Sequence, residues 1–154
     1  MKELRSKVNY MEQIVKKLNW YYYGIMVLTL IVLSVFYYMF SKQMYTPLDP
    51  MSQLGTILQY AAIFITLVAI PLGLYLVKWT KPQTDEKYLE VATMRILMVG
   101  LTMPVGIAFF YLMGGHRPMM WLAAIGAIAW YFTKPTIGKM EKEMTPEDPN
   151  MPTY

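Results

Sequence analysis

Apolar residues fall along this chain in four blocks separated by short polar stretches. The first block, Asn19–Phe40, reads NWYYYGIMVLTLIVLSVFYYMF and carries no charge. A bilayer core takes about 20 apolar residues of helix, so this block predicts a transmembrane helix over 19–40. Trp20, Tyr21, Tyr22 and Tyr23 crowd one end, and Phe36, Tyr37 and Tyr38 the other. Such rings favour the headgroup level and mark two interfaces. A second span is predicted over 54–77, with Pro71 inside it as a tolerated kink. A third is predicted over 89–113 and contains Arg95 and Pro104. The fourth, over 118–133, is short. Its 16 residues rise only about 24 Å, so it requires local thinning of the bilayer or a snorkelling Lys134.

Ahead of the first span, Leu4, Val8, Met11, Val15 and Leu18 recur at alternating intervals of four and three. That spacing puts them on one stripe of a helix. It predicts an amphipathic helix over 1–18, which lies on an anionic membrane surface, docks a partner, or extends the first span and packs on its own bundle. The chain therefore reads as an all-α, polytopic integral membrane protein. Its four transmembrane helices form two antiparallel hairpins within 19–133, and a largely disordered tail occupies 134–154, from about Glu143 onward. An aromatic-x-Lys-Pro pattern closes both the second and the fourth span; two tandem hairpins would produce it, and so would the chemistry that any stop at the membrane edge shares.

Composition supports lipid as the solvent. Only 16% of the 154 residues are charged and 56% are hydrophobic, against about 25% charged in an ordinary soluble domain. Lys2, Arg5, Lys7, Lys16, Lys17, Lys78, Lys81, Lys87, Lys134, Lys139 and Lys142 flank the spans on one side, and only Lys42 and Arg117 on the other. Basic residues gather on the cytoplasmic side, so both termini are expected in the cytoplasm. The same placement accounts for the net charge of +4 without nucleic acid. No small-residue cleavage site follows the first apolar run, which is expected to remain in the mature protein.

Candidate chemistry is sparse. The chain has no cysteine and one histidine, which excludes thiolate nucleophiles, Cys-ligated metals and bis-histidine haem within one subunit. The 15 methionines are spread through the apolar blocks as packing material. No carboxylate lies near a midplane, which counts against proton-coupled export. His116, beside Arg117, reads as part of a solvated turn between helices, with pH sensing the alternative.

Arg95 is the only charge well inside a span. It is expected either to snorkel to the interface or to face inward onto a tyrosine hydroxyl, a freed carbonyl, a partner, an anion or a lipid headgroup. Gln59, another polar group at depth, is paired with it as a candidate lipid, anion or partner contact. Ala123, Gly126 and Ala127 form a small-residue face that lets another helix approach closely.

The closing stretch Phe132-Thr133-Lys134-Pro135-Thr136, followed by charged residues through Lys142, resembles a class of small four-span bacterial inner-membrane proteins. The resemblance also covers the general plan of two hairpins with basic cytoplasmic ends. It implies a place in the bacterial inner (plasma) membrane and brings no catalytic residues. The expected function is that of a non-enzymatic accessory subunit or assembly factor of a membrane complex, without cofactor or metal. Its expected partners are the lipid bilayer and another membrane protein or a second copy. The alternative is a small transporter or channel component in which Arg95 contacts an anion or headgroup.

Overall fold

The computed structural model describes residues 1–144, and among these the chain is helical with no strand. The helices are α1 (Lys2–Ser41), α2 (Gln53–Thr80), α3 (Asp85–Gly100), α4 (Thr102–Leu112), α5 (Arg117–Phe132) and α6 (Ile137–Met144). Three rods, namely α1, α2 and α3 continued through α4, are long and apolar enough to cross a membrane. Their outward side chains, among them Leu30, Ile31, Phe64, Ile65 and Leu67, remain exposed. Exposed apolar surface on this scale does not persist in water and belongs to helices solvated by lipid. The α5 helix has 16 residues, fewer than a full crossing needs.

The amphipathic stretch 1–18 is not a separate helix. It is the first half of α1, which runs unbroken for 40 residues, about 60 Å of helix. Nothing between Leu18 and Trp20 stops a helix; only the pattern changes, from a stripe to an all-round apolar surface. The stripe itself is divided. Met11, Val15 and Leu18 are buried, with Ile14 beside them, while Leu4 and Val8 stay exposed.

Local signals set the boundaries. Ser52 accepts a hydrogen bond from the Gly55 amide at the start of α2, and Thr84 accepts one from Lys87 at the start of α3, as N-caps do. At the end of α2, Lys81 adopts the left-handed conformation and Pro82 prevents continuation. Helix α2 is continuous through Pro71, whereas the third rod is interrupted at Leu101. Pro104 lacks the amide that would bond to the Gly100 carbonyl, which places the interruption there. Between α4 and α5, Gly114 and Gly115 have φ of +68° and +84°. Side-chain-bearing residues resist that region, and the two glycines let the chain reverse tightly.

Two apolar clusters hold the bundle, one near each end. At the first, Met11, Ile14, Leu18 and Tyr22 of α1 pack with Val77, Tyr88, Ala92, Ile96 and Met140. At the second, Ala62, Met113, Met119 and Leu122 pack together. Here the Leu48 amide donates to Leu112 O at 2.8 Å and the Tyr45 hydroxyl to Tyr111 O at 2.6 Å. These bonds tie the first loop to the turn after α4. At the first cluster, the Trp130 ring stacks on Tyr22 with centroids 4.2 Å apart and donates to the Tyr22 carbonyl.

The start of the tail, ahead of the stretch expected to be disordered, is helical. Residues 137–144 form α6, with Met140 fully buried and Ile137 and Met144 packed against the first cluster. Thr136 accepts from the Lys139 amide at the start of this helix. The rest of the stretch expected to be disordered lies outside the described residues.

Candidate functional site

Tyr88 and Arg95 lie two helical turns apart on α3, which sets both on its buried face. Lys139 and Glu143 lie one turn apart on α6 and therefore share a face. The short turn after α5 folds α6 back beneath the bundle, and these four residues meet at its basic end.

The meeting has defined geometry. Arg95 Nη1 donates to both carboxylate oxygens of Glu143, at 3.0 and 3.2 Å. The Tyr88 hydroxyl donates to Glu143 Oε2 at 3.0 Å. Exposure is uneven: the Arg95 side chain is 4% exposed and that of Glu143 is 20% exposed. Among the described residues, Arg95 Nε and Nη2 are buried without a hydrogen-bond partner. The Lys139 ammonium donates to Phe132 O at the end of α5. Its pKa is held below the usual lysine value, first by burial and then by the Arg95 charge, with Glu143 acting in the opposite direction.

Chemically, the cluster is a donor set around one carboxylate. A buried ion pair recovers its desolvation cost only when the geometry is good and the remaining donors are satisfied. Here the geometry is good and the satisfaction is partial. Several hydroxyls of the spans are committed to nearby backbone carbonyls: Thr29 donates to Ile25 O, Thr93 to Leu89 O and Thr102 to Val99 O. Among the described residues, no group of three or more His, Asp or Glu side chains could hold a metal ion.

The other expected contacts lie elsewhere. Gln59 is near the opposite end, where its Nε2 donates to Pro50 O at 3.0 Å and ties down the first loop. The structure does not bring Gln59 and Arg95 together. The small-residue face packs inside the bundle: a Cβ on Gly106 would lie 2.8 Å from the Ala123 amide nitrogen, and one on Gly126 would collide with Thr102. Ala127 is half-buried against the first cluster. His116 borders an open groove of about 530 Å³ with Pro50, Gly114 and Arg117. A larger open groove, about 960 Å³, runs between α1 and α3, with Lys17, Trp20 and Glu90 on its walls.

Arg95 therefore turns inward, and its partner is a residue that sequence reading left in the tail. The available signal was weak. Ile137, Met140 and Met144 repeat at helical intervals behind Thr136, a capping residue, with Lys139 and Glu143 one turn apart.

Comparison of the chain with protein-family models, with curated proteins and with solved structures finds no match.

Proposed function

We propose that this chain is a small non-enzymatic integral membrane protein, an accessory subunit or assembly factor of a membrane complex. In this reading it crosses a bacterial inner (plasma) membrane four times, with α5 as the fourth, short span and both termini in the cytoplasm. The asymmetry of basic residues supports that orientation. At the same end of the bundle, α6 packs with the first half of α1. The observation that carries the functional reading is how the interior polar groups are used: Arg95 is paired with Glu143, and the hydroxyls of Thr29, Thr93 and Thr102 bond to backbone carbonyls. They build the fold, and partners are met by its outer faces.

Purification of the tagged chain in mild detergent tests this. A second membrane protein in stoichiometric amount supports the accessory role; a chain that is isolated alone under every mild condition opposes it. A second reading, an anion- or headgroup-contacting transporter or channel component, is favoured by one observation, the unpartnered Nε and Nη2 of Arg95. Unchanged solute flux in cells carrying a folded Arg95→Leu variant removes it.

A further inference from the structure

A guanidinium presents five N–H donors in a planar fork. In Arg95 a single nitrogen makes both bonds to Glu143, while Nε and Nη2 are buried with no hydrogen-bond partner among the described residues. A carboxylate held at one nitrogen leaves most of the fork idle. An oxyanion with three or four acceptor oxygens engages more of it, and guanidinium recognises such groups well. Charge points the same way. Arg95 is paired with Glu143, to which the Tyr88 hydroxyl also donates, and the Lys139 ammonium, bonded to Phe132 O, is near enough for the Arg95 charge to lower its pKa.

The single acceptor is also the most easily removed member. Tyr88 and Arg95 are fixed on α3 in the core. Lys139 is in the first turn of α6, held by Thr136 and Phe132, and Met140 anchors that turn with no exposed surface. Glu143 lies a turn beyond that anchor, and its side chain is 20% exposed where that of Arg95 is 4% exposed. Unwinding residues 141–144 frees Glu143 and leaves Tyr88, Arg95 and Lys139 in place.

We propose that Tyr88, Arg95 and Lys139 form a binding site for a phosphate-class oxyanion, and that Glu143 is its internal occupant, displaced when the anion arrives. The phosphate is either that of a free solute or the monoester headgroup of a lipid, which share this chemistry. The proposal rests on the anion-contact reading of Arg95 and requires no transport.

The test uses the full chain and two probes: inorganic phosphate with detergent-solubilised protein, and phosphatidylcholine nanodiscs with or without phosphatidic acid. Glu143→Gln keeps the size of the occupant and removes its charge. It is expected to bind the effective probe about tenfold more tightly than the natural chain, as loss of a competing charge-assisted contact allows. Adding Tyr88→Phe or Arg95→Lys should lower that gain severalfold. A response to inorganic phosphate identifies a solute, and a response confined to phosphatidic acid identifies a headgroup. If neither probe binds Glu143→Gln more tightly than the natural chain, the proposal is wrong. Should Glu143→Gln fail to fold, amide exchange of the natural chain decides. Saturating probe should accelerate exchange at residues 141–144, and unchanged exchange overturns the proposal. Either failure leaves the accessory-subunit reading standing, since that depends on co-purification.

Discussion

Glu143→Ala removes the one ion-pair partner that Arg95 has among the described residues. The guanidinium is then left 4% exposed without a countercharge. Breaking a buried pair in this way costs about 3–5 kcal/mol if nothing else moves. Something else can move. Lifting α6 lets water reach Arg95 and forfeits chiefly the burial of Met140, worth about 1.5–3 kcal/mol. The cheaper route sets the cost, so Glu143→Ala should destabilise the protein by about 2–3 kcal/mol and release α6. Replacing both charges, Arg95→Met with Glu143→Met, removes the desolvation problem and should fall within about 1 kcal/mol of the natural chain, or above it. Reversible unfolding in mixed micelles, followed by circular dichroism, measures the stabilities. Trypsin cleavage after Lys139 and Lys142 reports the release of α6. If Arg95→Met and Glu143→Met measured singly add to give the double variant within about 0.5 kcal/mol, and α6 stays protected in Glu143→Ala, the pair does not hold the tail.

Three further outcomes are expected. Gly106→Val should separate α4 from α5 and cost about 1–3 kcal/mol or more through overpacking, because even its Cβ meets the Ala123 backbone; Gly24→Ala, where nothing lies within 4 Å, should be neutral or gain about 0.5–1 kcal/mol. Equal stabilities in micelle unfolding would contradict both. Trp130→Phe keeps the stacking on Tyr22 but loses the bond to its carbonyl, about 0.5–1.5 kcal/mol, whereas Trp130→Ala should cost about 3 kcal/mol; a larger loss for Phe than for Ala would refute the assignment. For Lys139, the folded pKa lies below the unfolded value of 10.5. The unfolded chain therefore binds more protons between the two values, and stability rises with pH in that window. Lys139→Met should flatten the rise relative to the natural chain, and parallel pH profiles would contradict it.

Much of this fold is written locally in the chain. The blocks 54–77, 89–113 and 118–133 correspond to α2, the α3–α4 rod and α5 because apolar length is the main requirement in lipid. Their limits are set by short-range devices: Ser52, Thr84, Lys81-Pro82 and Gly114-Gly115. Two features were not legible. The join between the amphipathic stretch and the first span leaves no mark, since Leu18, Asn19 and Trp20 allow either continuation or a bend. What settles it is packing of Met11, Ile14 and Val15 against residues far along the chain, notably Tyr88 and Met140. The partner of Arg95 was hidden for the same reason. Glu143 is 48 positions away, in a helix of eight residues too short to show a clear period. An arginine on the buried face of α3 signals that a partner is needed, but not which of ten acidic residues supplies it. The small-residue face on α5 was legible as a close-packing surface; that it is used against α4 depends on Gly106 and Thr102, which only the three-dimensional arrangement brings opposite Ala123 and Gly126.

The chain has no native cysteine, so single cysteines placed at Ser6, Thr84, Thr136, Thr46 and Arg117, all exposed, can each be assigned to a side of the membrane by an impermeant thiol reagent. With four crossings, Ser6, Thr84 and Thr136 should react only once the cytoplasmic side is opened, and Thr46 and Arg117 should react in intact cells. Labelling of Ser6 and Thr136 from opposite sides would contradict the four-span arrangement, and with it the cytoplasmic meeting of α1, α3 and α6 around Arg95.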